Sequence, residues 1–341
     1  MGLVTFSLPM TKYLVKAGVL EKCPFTLLDV GCSGGIFDIW RVFDKYLISH
    51  GIDPQQSEVD RLNENESHEG IHYHAFYVGL PDTHEYCIER SKTNIPEYFQ
   101  PWQRLSAAAF NETSSSEAPP QNNPIGEDLT SKKITIAEFV KENSIASVDF
   151  IKIDTDGFDL EALHSCEDVW ESRNVLGALI ETSYVGGPNP TDNTFHNIDR
   201  FMKSRGFQIF NMDIKRYSRK VLPAPFKLDI YAQTHWGQPQ WGDVLYLRDG
   251  AAKDYEKVWK NQLSVEKILK LACLYEMYQV PDCAIEMFLE HKKRLEQYVN
   301  VDELIEVLTP PLRGKQVSYS QYMNAFYKNT KMFFPSYEEE K

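Results

Sequence analysis

Cysteine is sparse and basic charge is in short supply, and each shortage excludes whole classes of function. The six cysteines, Cys23, Cys32, Cys87, Cys166, Cys273 and Cys283, are scattered without a CxxC or CxxH spacing. Neither a zinc site nor a disulfide framework is therefore expected, and the thiols read as reduced and mostly buried. The formal net charge is −13 at pH 7, with no concentrated basic stripe to oppose it. An acidic field of that size disfavours a phosphate backbone, so nucleic acid is not expected as a partner. No apolar run is long enough to span a bilayer. Met1 to Leu20 lacks the cationic segment, apolar run and small-residue cleavage site of a secretory signal. Gly2 suits myristoylation, but Phe6 stands where that motif wants Ser or Thr. A cytoplasmic address is expected by elimination.

What is present is enough apolar material for a core: 42% hydrophobic residues in a chain of 341 predict one large domain with an appendage. Leu8 to Leu20 has helical spacing, placing a helix within residues 1–24. Phe25 to Val30 is a short apolar strand feeding the turn Gly31-Cys32-Ser33-Gly34-Gly35. Ile36 to Phe43 returns as a helix, and Tyr46 to Ile52 as a strand stopped by Asp53-Pro54. Gln55 to Asn65 reads as a helix, Tyr73 to Val78 as a strand, and Tyr86 to Glu89 as a short extended piece. Residues 106–132 carry a Ser, Pro and Asn-rich stretch that cannot pack a core and is expected to be a mobile loop. Beyond it, Ile136 to Glu142 is a helix, Val148 to Ile153 a nearly continuous apolar strand, Leu160 to Trp170 a helix and Leu176 to Ile180 a strand. Thr194 to Arg205 is a helix, followed by strands at Phe207 to Met212 and Val244 to Leu247 that are expected to pair antiparallel.

This alternation predicts an α/β fold with a doubly wound, mostly parallel sheet over residues 25–250. Helical periodicity takes over in residues 251–335, at Tyr255 to Gln279, Ala284 to Asn300 and Val301 to Leu308, with a break at Pro281. These helices are expected to form an extension and offer a surface for self-association. Residues 336–341 read as a disordered tail.

A strand that ends in glycines opening a helix lets a cofactor approach the backbone at the carboxyl edge of a parallel sheet. Asp53 closes the next strand, where doubly wound folds place an acid for ribose hydroxyls. The hydride-transfer reading fails, because Gly31 starts Gly-Cys-Ser-Gly-Gly-Ile, which misses the second and third glycines of G-x-G-x-x-G. Asp154 ends an apolar strand, where a charge is costly unless it faces a cleft. Asp156 and the flexible Gly157 follow it. Glu181 ends the next strand and leads into a polar, glycine-containing loop, Thr182 to Pro188. His196, near the start of a helix, is the histidine best placed to act as a base, although a surface or capping role fits it better. Asp156 or Asp159 is as well suited to capping the helix near Leu160 as to chemistry.

The glycine turn resembles the first motif of class I methyltransferases, with Gly31 and Gly35 at the outer positions and Ser33 at the central one. Val148-Asp149-Phe150-Ile151-Lys152-Ile153-Asp154-Thr155-Asp156-Gly157-Phe158-Asp159-Leu160-Glu161 resembles the signature block of FkbM-type methyltransferases. Thr135 to Phe139 and Asp53-Pro54 are similar to the family as well, with Asp53 and Asp156 each standing for a longer acid. The resemblance spans roughly residues 25 to 248. It implies a Rossmann-like class I methyltransferase fold, S-adenosylmethionine as cofactor and O-methylation of a small-molecule, sugar, glycan or polyketide hydroxyl. Methyl transfer needs a held cofactor and a means of removing the hydroxyl proton, and by position the cofactor contacts are expected from Asp29, Gly31, Cys32, Ser33, Gly35, Asp53, Leu80 and Asp154, with Asp154, Glu181 and His196 as catalytic candidates. Asp154 is left with three roles: contact with the cofactor ammonium, general base or metal ligand. A metal-dependent glycosyltransferase using Asp154 and Asp156 as a DxD pair is the rival. A third reading is a non-catalytic scaffold that binds a partner through its C-terminal helices.

Overall fold

The computed structural model describes residues 7–108, 132–227, 233–259 and 262–334. Its centre is a seven-stranded sheet. Five strands run parallel: β1 (Phe25–Val30), β2 (Leu47–Asp53), β3 (Ile71–Ala75), β6 (Phe150–Ile153) and β7 (Gly177–Ser183). Two short strands, β4 (Tyr77–Val78) and β5 (Lys133–Ile134), pair separately. At the far edge β9 (Gln238–Leu247) lies antiparallel between β7 and β8 (Gln208–Tyr217). The order is β3-β2-β1-β6-β7-β9-β8. Every residue of β1 and β6 is buried, as apolar strands covered on both faces require. Because the chain builds outward to β2 and β3 on one side of β1 and to β6 and β7 on the other, the β1–β6 boundary is the topological switch point. Open α/β sheets bind ligands at the carboxyl ends of strands at such a boundary.

The helices of the sheet region are α1 (Pro9–Lys16), α2 (Gln56–Asn65), α3 (Glu85–Lys92), α4 (Ile136–Glu142), α5 (Asp159–His164), α6 (Val169–Ser172) and α7 (Phe195–Ser204). The Thr135-Ile136-Ala137-Glu138 segment starts α4 with a capping box, in which Thr135 and Glu138 satisfy each other's backbone N–H groups. The C-terminal region is helical: α8 (Tyr255–Trp259), α9 (Val265–Met277), α10 (Pro281–Glu290), α11 (Lys292–Leu295), α12 (Val301–Leu308) and α13 (Tyr319–Lys328). Helix α9 is buried almost along its whole length. Lys267 and Lys270 on it clamp Asp149, just before β6, at 2.7 and 2.8 Å. At its other end Glu276 accepts hydrogen bonds from the Met10 and Thr11 amides and the Thr11 hydroxyl. Among the described residues no helix is long and apolar enough to cross a membrane.

Several elements differ from expectation for identifiable reasons. Glu85–Lys92 is a helix, not the extended piece expected around Tyr86. The β-forming run Tyr86-Cys87-Ile88 suggests a strand, but His84 caps the helix by accepting from the Tyr86 amide, and Arg90 anchors it to Glu161 at 3.1 Å. The helix expected over Leu160 to Trp170 breaks in two at Glu167, whose φ is +46°. Asp38–Tyr46 forms a 3-10 helix kinked at Asp44. Pro281 begins a helix, with its missing N–H at the first turn, where nothing is lost. The α13 helix falls within the helical extension expected to residue 335, beyond the last helix placed individually. Residues 109–131 of the loop expected at 106–132, and the tail at 336–341, lie outside the described residues.

Candidate active site

The carboxyl edge of the sheet opens into adjoining cavities. The first, of about 380 Å³, lies over the switch point and is lined by Val30, Gly31 and Ser33 after β1, Ile52 to Gln55 after β2, Phe76 to Val78, and Asp154, Thr155, Asp156 and Phe158 after β6. That volume is in the range of small-molecule sites. A second, of about 560 Å³, is lined by Asp156, Gly157, Glu181, Thr182, Ser183, Asn193, Lys215, Tyr217, Gln233 and Trp241. Asp156 belongs to both. A third hollow, with Phe99, Trp102 and Arg90 in its wall, continues from the second across Gly157, Ser183, Asn193 and Trp241.

Backbone approach explains the glycine turn. A Cβ on Gly31 (φ +80°) would fall 1.7 Å from the Asp154 carbonyl oxygen, so only glycine lets β1 and β6 end side by side. The Gly31 amide donates to the Ile52 carbonyl at 2.8 Å, and the Asp154 amide to that of Val30 at 3.0 Å. These bonds hold three strand ends around the first cavity. Asp53 is buried at the end of β2 and accepts from the Gln55 amide at 2.9 Å. Burial raises its pKa above the ordinary aspartate value.

Lys152 lies beneath the cavity floor and is a site residue that the sequence reading left without a role. Its Nζ reaches Asp29 at 3.2 Å, Asp154 at 3.3 Å and the Gly31 carbonyl at 3.3 Å. Burial works against its charge, but Asp29 and Asp154 outweigh it and hold its pKa above the ordinary lysine value. Asp29 is pushed up to about 6, first by burial, with Lys152 pulling the other way. A lysine inside an apolar strand must find carboxylates, and that is the signal by which the sequence could have revealed it.

The loop after β6 is fixed from below. Asp156 and Gly157 have φ of +50° and +96°. Buried Asp159 accepts from the Thr155 amide and hydroxyl at 2.8 and 3.0 Å and from the Asn193 side-chain amide at 2.9 Å. Arg90 donates to the Gly157 carbonyl at 3.0 Å. Asp159 thus shapes the loop, while Asp156 stays exposed at the junction of the cavities.

Glu181 stands in the wall of the second cavity with acids around it. Its register partner on β9 is Asp243, whose partner on β8 is Asp213. Cross-strand partners share a face, so three carboxylates form a row across β7, β9 and β8. Lys215 lies at 2.6 Å from Asp213. Burial first, then Asp154, raises Glu181 to about 8, and the same two causes raise Asp243 to about 6. Asp243 and Asp213 were missed by sequence reading because their closeness to Glu181 arises only through strand pairing.

Of the residues expected at the site, Gly31, Ser33, Asp53 and Asp154 line the first cavity and Glu181 the second. Asp29, Cys32, Gly35 and Leu80 do not line either one. Cys32 and Leu80 are buried in the core, with the Leu80 amide donating to Glu161 at 3.0 Å. His196 is exposed on the first turn of α7, its ring 3.3 Å from the Thr194 hydroxyl, and lines none of these cavities.

Among known proteins, the Methyltransferase FkbM domain family matches residues 33–209, more than half of the chain. No curated protein matches the sequence. Solved structures with some likeness include the magnesium protoporphyrin IX methyltransferase of Synechocystis PCC 6803 with bound SAM: 9% identity, 73% of this chain and 86% of the other, TM-score 0.28. A fibrillarin/Nop5p complex shows 11% identity over 73% of this chain and 88% of the other, TM-score 0.31. A SAM-dependent methyltransferase from Aquifex aeolicus shows 12% identity over 71% of this chain and all of the other, TM-score 0.27.

Proposed function

We propose that this chain, which belongs to the FkbM methyltransferase family and so uses S-adenosylmethionine, methylates a hydroxyl group with Glu181 as the base that takes the hydroxyl proton. The first cavity fits the cofactor by its chemistry. Asp53 offers a carboxylate to ribose hydroxyls, Ile52, Phe76, Tyr77, Val78 and Phe158 offer apolar surface to a purine, and Asp154 and Asp156 offer negative charge to a cationic ligand. When bound, the cofactor supplies an electrophilic methyl group on a sulfonium. Lys152 holds Asp154 and the Gly31 carbonyl in place beneath it.

The second cavity would hold the acceptor, with Trp241 and Tyr217 as flat faces and Asn193 and Ser183 as hydrogen-bonding groups. The observation that carries the reading is that both cavities meet at Asp156, beside a Glu181 that forms no ion pair among the described residues. Asp154, by contrast, keeps its charge beside Lys152 at 3.3 Å, which stabilises the ionised form and makes it the poorer base. A base poised near neutrality serves proton removal best. A hydroxyl held beside Glu181 would pass its proton to the carboxylate while its oxygen takes the methyl group, the carbon–sulfur bond breaking to leave a neutral sulfide.

The test is transfer of a 13C-labelled methyl group from S-adenosylmethionine to a panel of sugars, glycans and polyhydroxylated alcohols. The carbon shift of the product distinguishes oxygen from nitrogen or sulfur attachment. Label on oxygen is expected, and label confined to nitrogen or sulfur overturns the assignment.

A further inference from the structure

We infer that Glu181 and Asp243 hold a proton in the cofactor-free cleft and surrender it to solvent when a cation enters beside them, so that the base is armed by the charge of the methyl donor. The inference rests on the placement of Glu181 at the transfer point given above. It starts from the strand register. Ile153 pairs with Ile180, so Asp154, just past the end of β6, lies beside Glu181 on β7. Glu181 then pairs with Asp243, and Asp243 with Asp213. Like charges directly opposite one another in a sheet repel.

The groups facing Glu181 are Asp154 and Asp156 from the β6 loop, Asp159 from α5, and Asp243 from β9. Asp213, Lys215 and Tyr217 lie beyond them on β8, with Tyr184 past the end of β7. The two nearby lysines are already engaged, Lys152 by Asp29 and Asp154 and Lys215 by Asp213. A half-buried row of acids with its cations spent lowers its energy by keeping a proton. The value of about 8 for Glu181 agrees with this.

A single positive charge entering at the junction of the cavities replaces that proton. The carboxylic acid of Glu181 becomes a carboxylate and the proton passes to the buffer, with no other bond changed. The neutral sulfide left after methyl transfer has no such charge, so Glu181 keeps the proton it has just taken from the acceptor. The net charge of the cluster is then the same before and after turnover, and release of the proton accompanies entry of the next donor.

Isothermal titration at pH 7.5 in phosphate and in Tris, whose ionisation heats differ, counts protons released on binding without any acceptor. S-adenosylmethionine and its demethylated sulfide are titrated into wild type, Glu181→Gln and Asp243→Asn. The difference between wild type and Glu181→Gln cancels protons exchanged by the amino group of the ligand. Wild type should release roughly half a proton more than Glu181→Gln with the sulfonium, and none more with the sulfide. Asp243→Asn, which keeps the base and removes only the weakest of the acidic neighbours that raise it, should release slightly less than wild type. Equal proton counts in all three proteins overturn the inference alone. Absence of binding heat with both ligands in wild type overturns the placement of the cofactor, and the inference with it.

Discussion

Two aspartates flank the four-residue strand β6, and the molecule treats them in opposite ways. Asp149, at the amino end, is fully buried and held by two lysines of α9 at 2.7 and 2.8 Å, with the Thr26 amide donating a further bond at 2.8 Å. Asp154, at the carboxyl end, shares one lysine with Asp29 and faces a cleft whose other acids are short of partners. At one end charge is saturated and serves the fold. At the other it is left unsatisfied and serves chemistry. A sequence pattern of Asp, four apolar-strand residues and Asp does not announce this difference, because it depends on what the rest of the chain brings to each end.

The largest effect should come from breaking the saturated end. Asp149→Ala leaves Lys267 and Lys270 buried without their carboxylate, and removal of one side of a buried ion pair costs about 3–5 kcal/mol. Urea unfolding should show a midpoint lowered by a corresponding amount at unchanged slope. A loss under about 1 kcal/mol would mean that the lysines find other partners, and the contrast between the two ends would weaken.

Next comes the unsatisfied end. Glu181→Gln removes the proposed base and should lower kcat about 100-fold or more, with little change in folding. In wild type kcat/KM should climb as pH rises through about 8, where the Glu181 carboxyl ionises. Asp154→Asn should instead act mainly on cofactor affinity, since its charge faces the cationic donor while Lys152 makes it a poor base. Should Asp154→Asn prove the more damaging to kcat, the two acids exchange roles.

Asp53→Asn sharpens the division between holding and reacting. It keeps an acceptor for ribose hydroxyls but loses the charge that strengthens the bond, so cofactor Kd should rise by about 1–3 kcal/mol with kcat at saturation nearly unchanged. Titration calorimetry and steady-state rates at saturating donor check both halves.

The parts of this picture that were legible in the sequence are those set by local pattern. Apolar strands β1 and β6, the Gly31 turn and the acids Asp53 and Asp154 at strand ends were expected in order, because strand ends of a parallel sheet converge on one edge. Glu181 was expected to end its strand, but β7 runs on to Ser183 through its pairing with β9. The α3 helix was misread because its cap at His84 and its anchor to Glu161 lie outside the Tyr86-Cys87-Ile88 run. Lys152 and Asp243 were passed over because their partners come from other strands. A lysine in an apolar strand and an aspartate before the Val244 to Leu247 run were the available signs.

The smallest effect tests whether the unsatisfied end costs stability. The folded pKa of Glu181, about 8, lies above the ordinary glutamate value of 4.5. The native state therefore binds more protons than the unfolded chain between those values, and this group erodes stability as pH rises through that window. Below 4.5 the group is protonated in both states and contributes nothing to the difference. Glu181→Gln removes the titration, so its melting temperature should match wild type near pH 4.5 and exceed it by pH 8.5. Partial solvent access reduces the gain to about 1–2 kcal/mol, or about 1–3 degrees in Tm for a chain of this size. Scanning calorimetry of both proteins across that range decides it. A constant offset at all pH values would point to packing rather than charge, whereas a gain that grows with pH identifies the cleft acids as strain retained for function.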